Sequence, residues 1–124
     1  MSLLVLGLIL FTVTLSACAQ LALKMGVNKA EMAEAMQSGL IDSILAAAAS
    51  PLIWLGLFIY AFSVALWVWV LSKVDLTIAY PFVGISFLIT MAFGAFILNE
   101  SVTTMRVVGT LLIAGGCVLV AQSA

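Results

Sequence analysis

Charged residues punctuate this chain at wide intervals, and the stretches between them are almost wholly apolar. The charged positions are Lys24, Lys29, Glu31, Glu34, Asp42, Lys73, Asp75, Glu100 and Arg106. A helix rises about 1.5 Å per residue, so about 20 apolar residues cross a hydrocarbon core about 30 Å thick. Four stretches qualify: Leu3 to Leu23, closed by Lys24; Leu52 to Leu71, introduced by Pro51 and closed by Lys73; Leu76 to Leu98, closed by Glu100; and Val102 to Ala121, with Arg106 near its start. Pro51 suits a first helical turn. Ser101 is the candidate cap of the fourth helix, whose first turn would then lie among headgroups. The pattern predicts an all-α membrane protein, a four-transmembrane-helix bundle forming one domain over residues 1–124.

The only polar insertion is Gly26 to Ser50. Asn28 followed by Glu31 resembles a capping box. Met32, Met36, Leu40, Ile44 and Leu45 then recur at helical spacing, and Ala46 to Ala49 extends the run. This predicts a short amphipathic helix over 28–49, between helices 1 and 2, lying at the membrane interface. A solvated loop is the other reading. The remaining connections, Ser72–Asp75 and Asn99–Ser101, are too tight to hold domains.

Composition agrees with a lipid-facing surface. The chain is 66% apolar and 7% charged, where a soluble domain averages about half and about a quarter. With a net charge of −1, nothing suggests a nucleic-acid partner, which would call for a basic patch. Histidine is absent, no metal-ligand spacing occurs and no catalytic constellation is visible. The expectation is therefore no metal, no cofactor and no enzyme. Cys18 and Cys117 lie inside apolar runs and read as small hydrophobes. Leu15-Ser16-Ala17-Cys18 looks like a lipoprotein cleavage box, but no Lys or Arg precedes it and more apolar span follows. Lys24, Lys29 and Arg106 fall on one side of the membrane, with Lys73 and the amino terminus opposite. The positive-inside rule then puts both termini outside.

Polar groups within spans are costly in lipid and tend to face a bundle interior or pathway. Thr12, Ser16, Gln20 and Lys24 repeat every four residues along one face of helix one. Lys24 and Gln20 either anchor the helix and bond a neighbour, or receive a polar or phosphorylated headgroup. Tyr60, Ser63 and Trp67 share a face of helix two, as packing aromatics or as site residues. Tyr80-Pro81 opens helix three, where the missing proline donor can kink the helix and open a cavity. On helix four, Gly109, Thr110, Ala114, Cys117 and Ala121 form a stripe of small residues. It reads as a dimer contact or as packing within the chain.

These motifs carry a resemblance. The run Leu76-Thr77-Ile78-Ala79-Tyr80-Pro81, the segment Leu98-Asn99-Glu100-Ser101-Val102 and the stretch Arg106 to Gly116 resemble the small multidrug resistance group and its EamA-like relatives in the drug/metabolite transporter superfamily. The drug exporters of that group carry a membrane-embedded glutamate where this chain has Ser16. They also carry a tryptophan where it has Val83. The chain is more similar to the paired flippase subunits for undecaprenyl-phosphate aminoarabinose. Those share the pattern of Ser16, Gln20 and Lys24, the Ala79-Tyr80-Pro81 entry and the acid at Glu100. The long first loop is a departure from them.

The resemblance implies a bacterial inner-membrane transporter, working as a homodimer or heterodimer. It would flip a lipid-linked sugar or similar amphipathic molecule. Ser16, Gln20, Lys24, Tyr60, Trp67, Tyr80, Pro81, Glu100 and Arg106 are the expected substrate-binding residues. Export of a small drug or metabolite is one alternative reading. A non-transporting accessory subunit is another.

Overall fold

The computed structural model describes residues 2–123. They form helices α1 (Leu3–Val27), α2 (Ala30–Ser38), α3 (Leu40–Ala49), α4 (Pro51–Leu71) and α5 (Leu76–Ala79), then a 3₁₀ turn (Tyr80–Phe82), α6 (Val83–Phe96) and α7 (Thr104–Gln122). Four segments are long and apolar enough to cross a membrane: Leu3–Val27, Pro51–Leu71, Leu76–Phe96 and Thr104–Gln122.

Local chemistry sets where they start. Ser2 caps α1, its Oγ accepting from the Val5 N–H at 3.2 Å. Ser50 caps α4 in the same way, at 3.5 Å from the Ile53 nitrogen, with Pro51 in the first turn, where no N–H is needed. Thr103 caps α7, accepting from the Arg106 N–H at 3.2 Å. The fourth span thus begins at Thr104, not Val102, and Ser101 is not its cap. Helix α1 continues past Lys24 to Val27. A lysine in the last turn sits well against the helix dipole, and its stem carries the charge outward.

The polar insertion is two helices rather than one. Gly39 adopts φ 135°, a conformation that residues with side chains rarely reach. The four-residue apolar spacing runs straight across this break, which is why the pattern reads as continuous. Asn28 does not cap the insertion. It closes α1, its N–H bonding the Lys24 carbonyl at 3.0 Å, and Lys29 precedes α2 without a side-chain cap. Met32 is buried, while Met36, Leu40, Ile41, Ile44 and Leu45 are exposed. Such a face suits the headgroup boundary. The Trp54 indole N–H donates to the Ala48 carbonyl at 2.7 Å and ties α4 to α3.

Helix α1 is central. Helices α4 and α6 both pack on it, and α7 packs on α6. Glycines allow these close approaches. A Cβ at Gly56 would lie 2.8 Å from Leu23 Cγ and 3.1 Å from the Ala19 carbonyl oxygen. One at Gly84 would lie 2.7 Å from both Cys117 Sγ and Ile113 Cγ2. In lipid there is little hydrophobic force between helices, so close packing of small residues carries the association.

The buried core is Ile9, Val13, Val70, Ala79 and Phe82, with Trp67, Leu71 and Val74 packed against it. It lies where α1 begins, α4 ends and the third span begins. That end of the bundle is sealed. Toward the other end, α4 and α6 flank α1 without packing on each other.

Candidate functional site

The space left between α4 and α6 over α1 is a cleft of two chambers. The inner chamber holds about 170 Å³. Its polar lining is Thr12, Ser16, Tyr60, Ser63, Trp67, Tyr80 and Ser86, without a charge. The outer chamber holds about 500 Å³ and adds Gln20, Lys24, Thr90 and Glu100, with Phe87, Phe93 and Leu98 as apolar walls. Ser16, Tyr60, Val83 and Ser86 line both chambers, so the cleft is continuous. Its polarity is graded: hydroxyls and rings lie inside, and a lysine and a carboxylate stand at the mouth.

The inner hydroxyls are not equivalent. Thr12 donates its proton to the Leu8 carbonyl at 2.7 Å, and Ser63 donates to the Tyr60 carbonyl at 2.7 Å. Ser86 donates to the Val83 carbonyl. Each of these therefore presents only oxygen lone pairs to the chamber. A cleft so lined can hold an uncharged group rich in O–H or N–H donors. A bare charge in the inner chamber would lack a counterion, at a large desolvation cost.

Glu100 owes its place to the end of α6. Asn99 takes φ 55°, in the left-handed region that asparagine tolerates better than most residues. The chain thereby folds back, and the Glu100 N–H bonds the Gly94 carbonyl at 2.8 Å. The carboxylate then lies over Gly94, where a Cβ would sit 3.3 Å from Oε2. Glycine at 94 makes room for the acid at the mouth.

The structure brings Ser16, Gln20, Lys24, Tyr60, Trp67, Tyr80 and Glu100 to one cleft. Arg106 lines a neighbouring groove between α6 and α7, where Glu100 also lies, and its guanidinium donates to the Ser101 carbonyl at 2.7 Å. Pro81 stands in the helix wall, its carbonyl accepting from the Cys117 thiol. Within the stripe on α7, Cys117 is buried against Gly84, inside the chain. Gly109, Gly115 and Gly116 meet nothing where a Cβ would point. Ser63, Ser86, Thr90 and Gly94 line the chambers too. Sequence reasoning put Ser63 on the face of helix two shared by Tyr60 and Trp67, but did not join Ser86, Thr90 or Gly94 to the site. Val83, at the exporters' tryptophan position, lies where the chambers meet, so its smaller side chain leaves the passage open.

The sequence model of the EamA-like transporter family matches residues 43–122, which hold α4, α6, α7 and most of α3. The chain belongs to the EamA-like transporter family. Helix α1 lies outside that match, but alignments with individual proteins include it. Over 118 residues this EamA-like transporter is 29% identical to the probable 4-amino-4-deoxy-L-arabinose-phosphoundecaprenol flippase subunit ArnE of Pseudomonas aeruginosa (strain UCBPP-PA14), covering 95% of this chain and 97% of that protein. It is 30% identical over 122 residues to the probable ArnF subunit of the same flippase from Shewanella sediminis (strain HAW-EB3), covering 91% and 84%. Against the ArnE counterpart of Pseudomonas fluorescens (strain Pf0-1), it is 33% identical over 73 residues, covering 59% and 64%. No solved structure matches the chain. Family membership and four spanning helices make this a multi-pass inner-membrane transporter.

Proposed function

We propose that this chain is a flippase subunit. It carries the phosphorylated amino-sugar head of a polyprenyl lipid across the inner membrane, in a dimer with a second copy or a similar subunit. One observation carries the reading: a single cleft has uncharged hydroxyls and rings inside and Lys24 with Glu100 at its mouth. A lipid-linked sugar has the same grading. Its ring bears donors that match the inner acceptors, and its phosphate needs a cation. The tail is already at home in hydrocarbon, so the protein need shield only the head. The names of the ArnE and ArnF relatives agree with this substrate class.

In this reading Lys24 receives the phosphate and Glu100 receives the amino group. Tyr60, Trp67 and Tyr80 face the ring, while Ser16 and Gln20 bridge the two ends. Rocking of α4 against α6 around the cleft would then alternate access. Nothing in this scheme makes or breaks a covalent bond, so the protein acts as a carrier and not as an enzyme. Proton-coupled export of drug cations is the weaker reading, because Ser16 stands where the exporters carry their acid.

The test is translocation of the amino-sugar lipid in reconstituted vesicles, with the chain alone and with a paired subunit. Lys24→Ala should lower the rate by on the order of tenfold or more, since a hydrogen bond to a charged group contributes about 1.5–3 kcal/mol. Insertion and dimerisation should persist. Unchanged transport would remove Lys24 from the mechanism.

A further inference from the structure

A head held in the cleft leaves a question of geometry: by which route does the tail reach the bilayer? Beside the mouth, a groove of about 520 Å³ runs between α6 and α7. It shares Phe87, Thr90, Gly94 and Glu100 with the outer chamber, so the two spaces adjoin along the Gly94 face. Beyond that saddle the groove walls are mainly apolar, with Met91, Val102, Gly109 and Ile113 beside the hydroxyl of Thr110. Gly109 adds to the width, for nothing lies within 4 Å of where its Cβ would be. Among the described residues the one cation on the groove is Arg106, near the mouth, whose Nη1 donates to the Ser101 carbonyl at 2.7 Å.

We infer that the α6–α7 groove is the tail site, occupied by the first isoprenoid units of a polyprenyl phosphate. The inference rests on the flippase reading above. An apolar channel that adjoins the head chamber and carries a cation at the junction suits one ligand class: an anionic phosphate joined to a long hydrocarbon chain. Lys24 and Arg106 then bracket the phosphate from the two sides of Glu100, and Gly94 leaves the crossing unobstructed. The groove offers little by hydrophobic transfer, because the chain already lies in hydrocarbon. It contributes close dispersion contacts and a fixed direction of exit.

The test uses the full-length protein in bilayer nanodiscs with undecaprenyl phosphate carrying a diazirine near the phosphate end of its chain. Illumination should place adducts on the segments around Met91 and Ile113. Protection of Lys24 from an amine-reactive reagent by the same lipid reports the head separately. Lys24 protected with adducts on α4 would overturn the groove and leave the flippase reading standing. Lys24 unprotected, with adducts no more localised than those of a photoreactive phosphatidylethanolamine, would overturn both.

Filling the groove gives a second measure. Gly109→Leu should lower the ratio of long-tail to short-tail transport by about threefold or more, through lost dispersion contact. An unchanged ratio with a changed oligomeric state would assign the groove to a second copy of the chain, and would sink the proposal.

Discussion

The two ends of this bundle use the same three spans in opposite ways. At the sealed end, Ile9, Val13, Val70, Ala79 and Phe82 interlock without a charged group among them. At the open end, the spans carry Gln20, Lys24, Thr90 and Glu100 around empty space. The difference teaches where stability and chemistry live in a small membrane protein. In lipid, a packed cluster stabilises by shape and dispersion alone, so it must be tight. A polar cleft adds no such packing, so it persists only because the rest of the fold holds its walls.

Substitutions should therefore divide by end. The largest loss of stability is expected from Gly84→Val, because its Cβ would meet Cys117 Sγ and Ile113 Cγ2 at 2.7 Å. Overpacking of this kind costs about 2–3 kcal/mol, read as a lowered unfolding midpoint in detergent. Ile9→Ala, in the fully buried core, should follow at about 2 kcal/mol, toward the low end of such truncations because the transfer part is small in lipid. A midpoint unchanged by Ile9→Ala would mean that the sealed end does not hold the bundle together.

At the open end the same assay should move less. Asn99→Ala places a poorly tolerated residue at φ 55° and should cost about 1 kcal/mol, while Asn99→Gly should be close to neutral. Gly94→Ala should cost less than about 1 kcal/mol, because Gly94 is buried but the nearest neighbours of its new Cβ would all be atoms of the Glu100 side chain. It should nonetheless slow transport severalfold, by pushing aside a carboxylate that would lie 3.3 Å from the new Cβ. Adding Glu100→Asp, one methylene shorter, should recover part of that loss. No recovery would mean that Gly94 acts on helix packing and not through Glu100.

Much of this architecture was legible beforehand, because charge is so rare that each charged residue marks a boundary. The four spans follow from Lys24, Lys73, Glu100 and Arg106 with little else. Boundaries set by hydrogen bonds were harder. Nothing in hydropathy separates Thr103 from Ser101 as a cap, or stops Asn28 from looking like one. The break at Gly39 hid behind a spacing that stays in phase across it. For the site, the four-residue repeat of Ser16, Gln20 and Lys24 was visible because a helix makes it periodic. Ser63, Ser86 and Gly94 join the cleft only through the crossing of different helices, and no periodicity within one helix reports that. Arg106 is displaced from the cleft for a similar reason: the reversal at Asn99 directs Glu100 into the mouth, while the start of α7 lies one groove away.

The gap between α4 and α6 has a mechanical corollary. Toward the open end those helices are bridged mainly by α1, so whatever fills the space becomes a brace that the empty protein lacks. Loaded and unloaded forms would then differ in rigidity more than in shape. Amide exchange along α4 and α6 would slow when cargo is aboard, even if the backbone trace hardly changed.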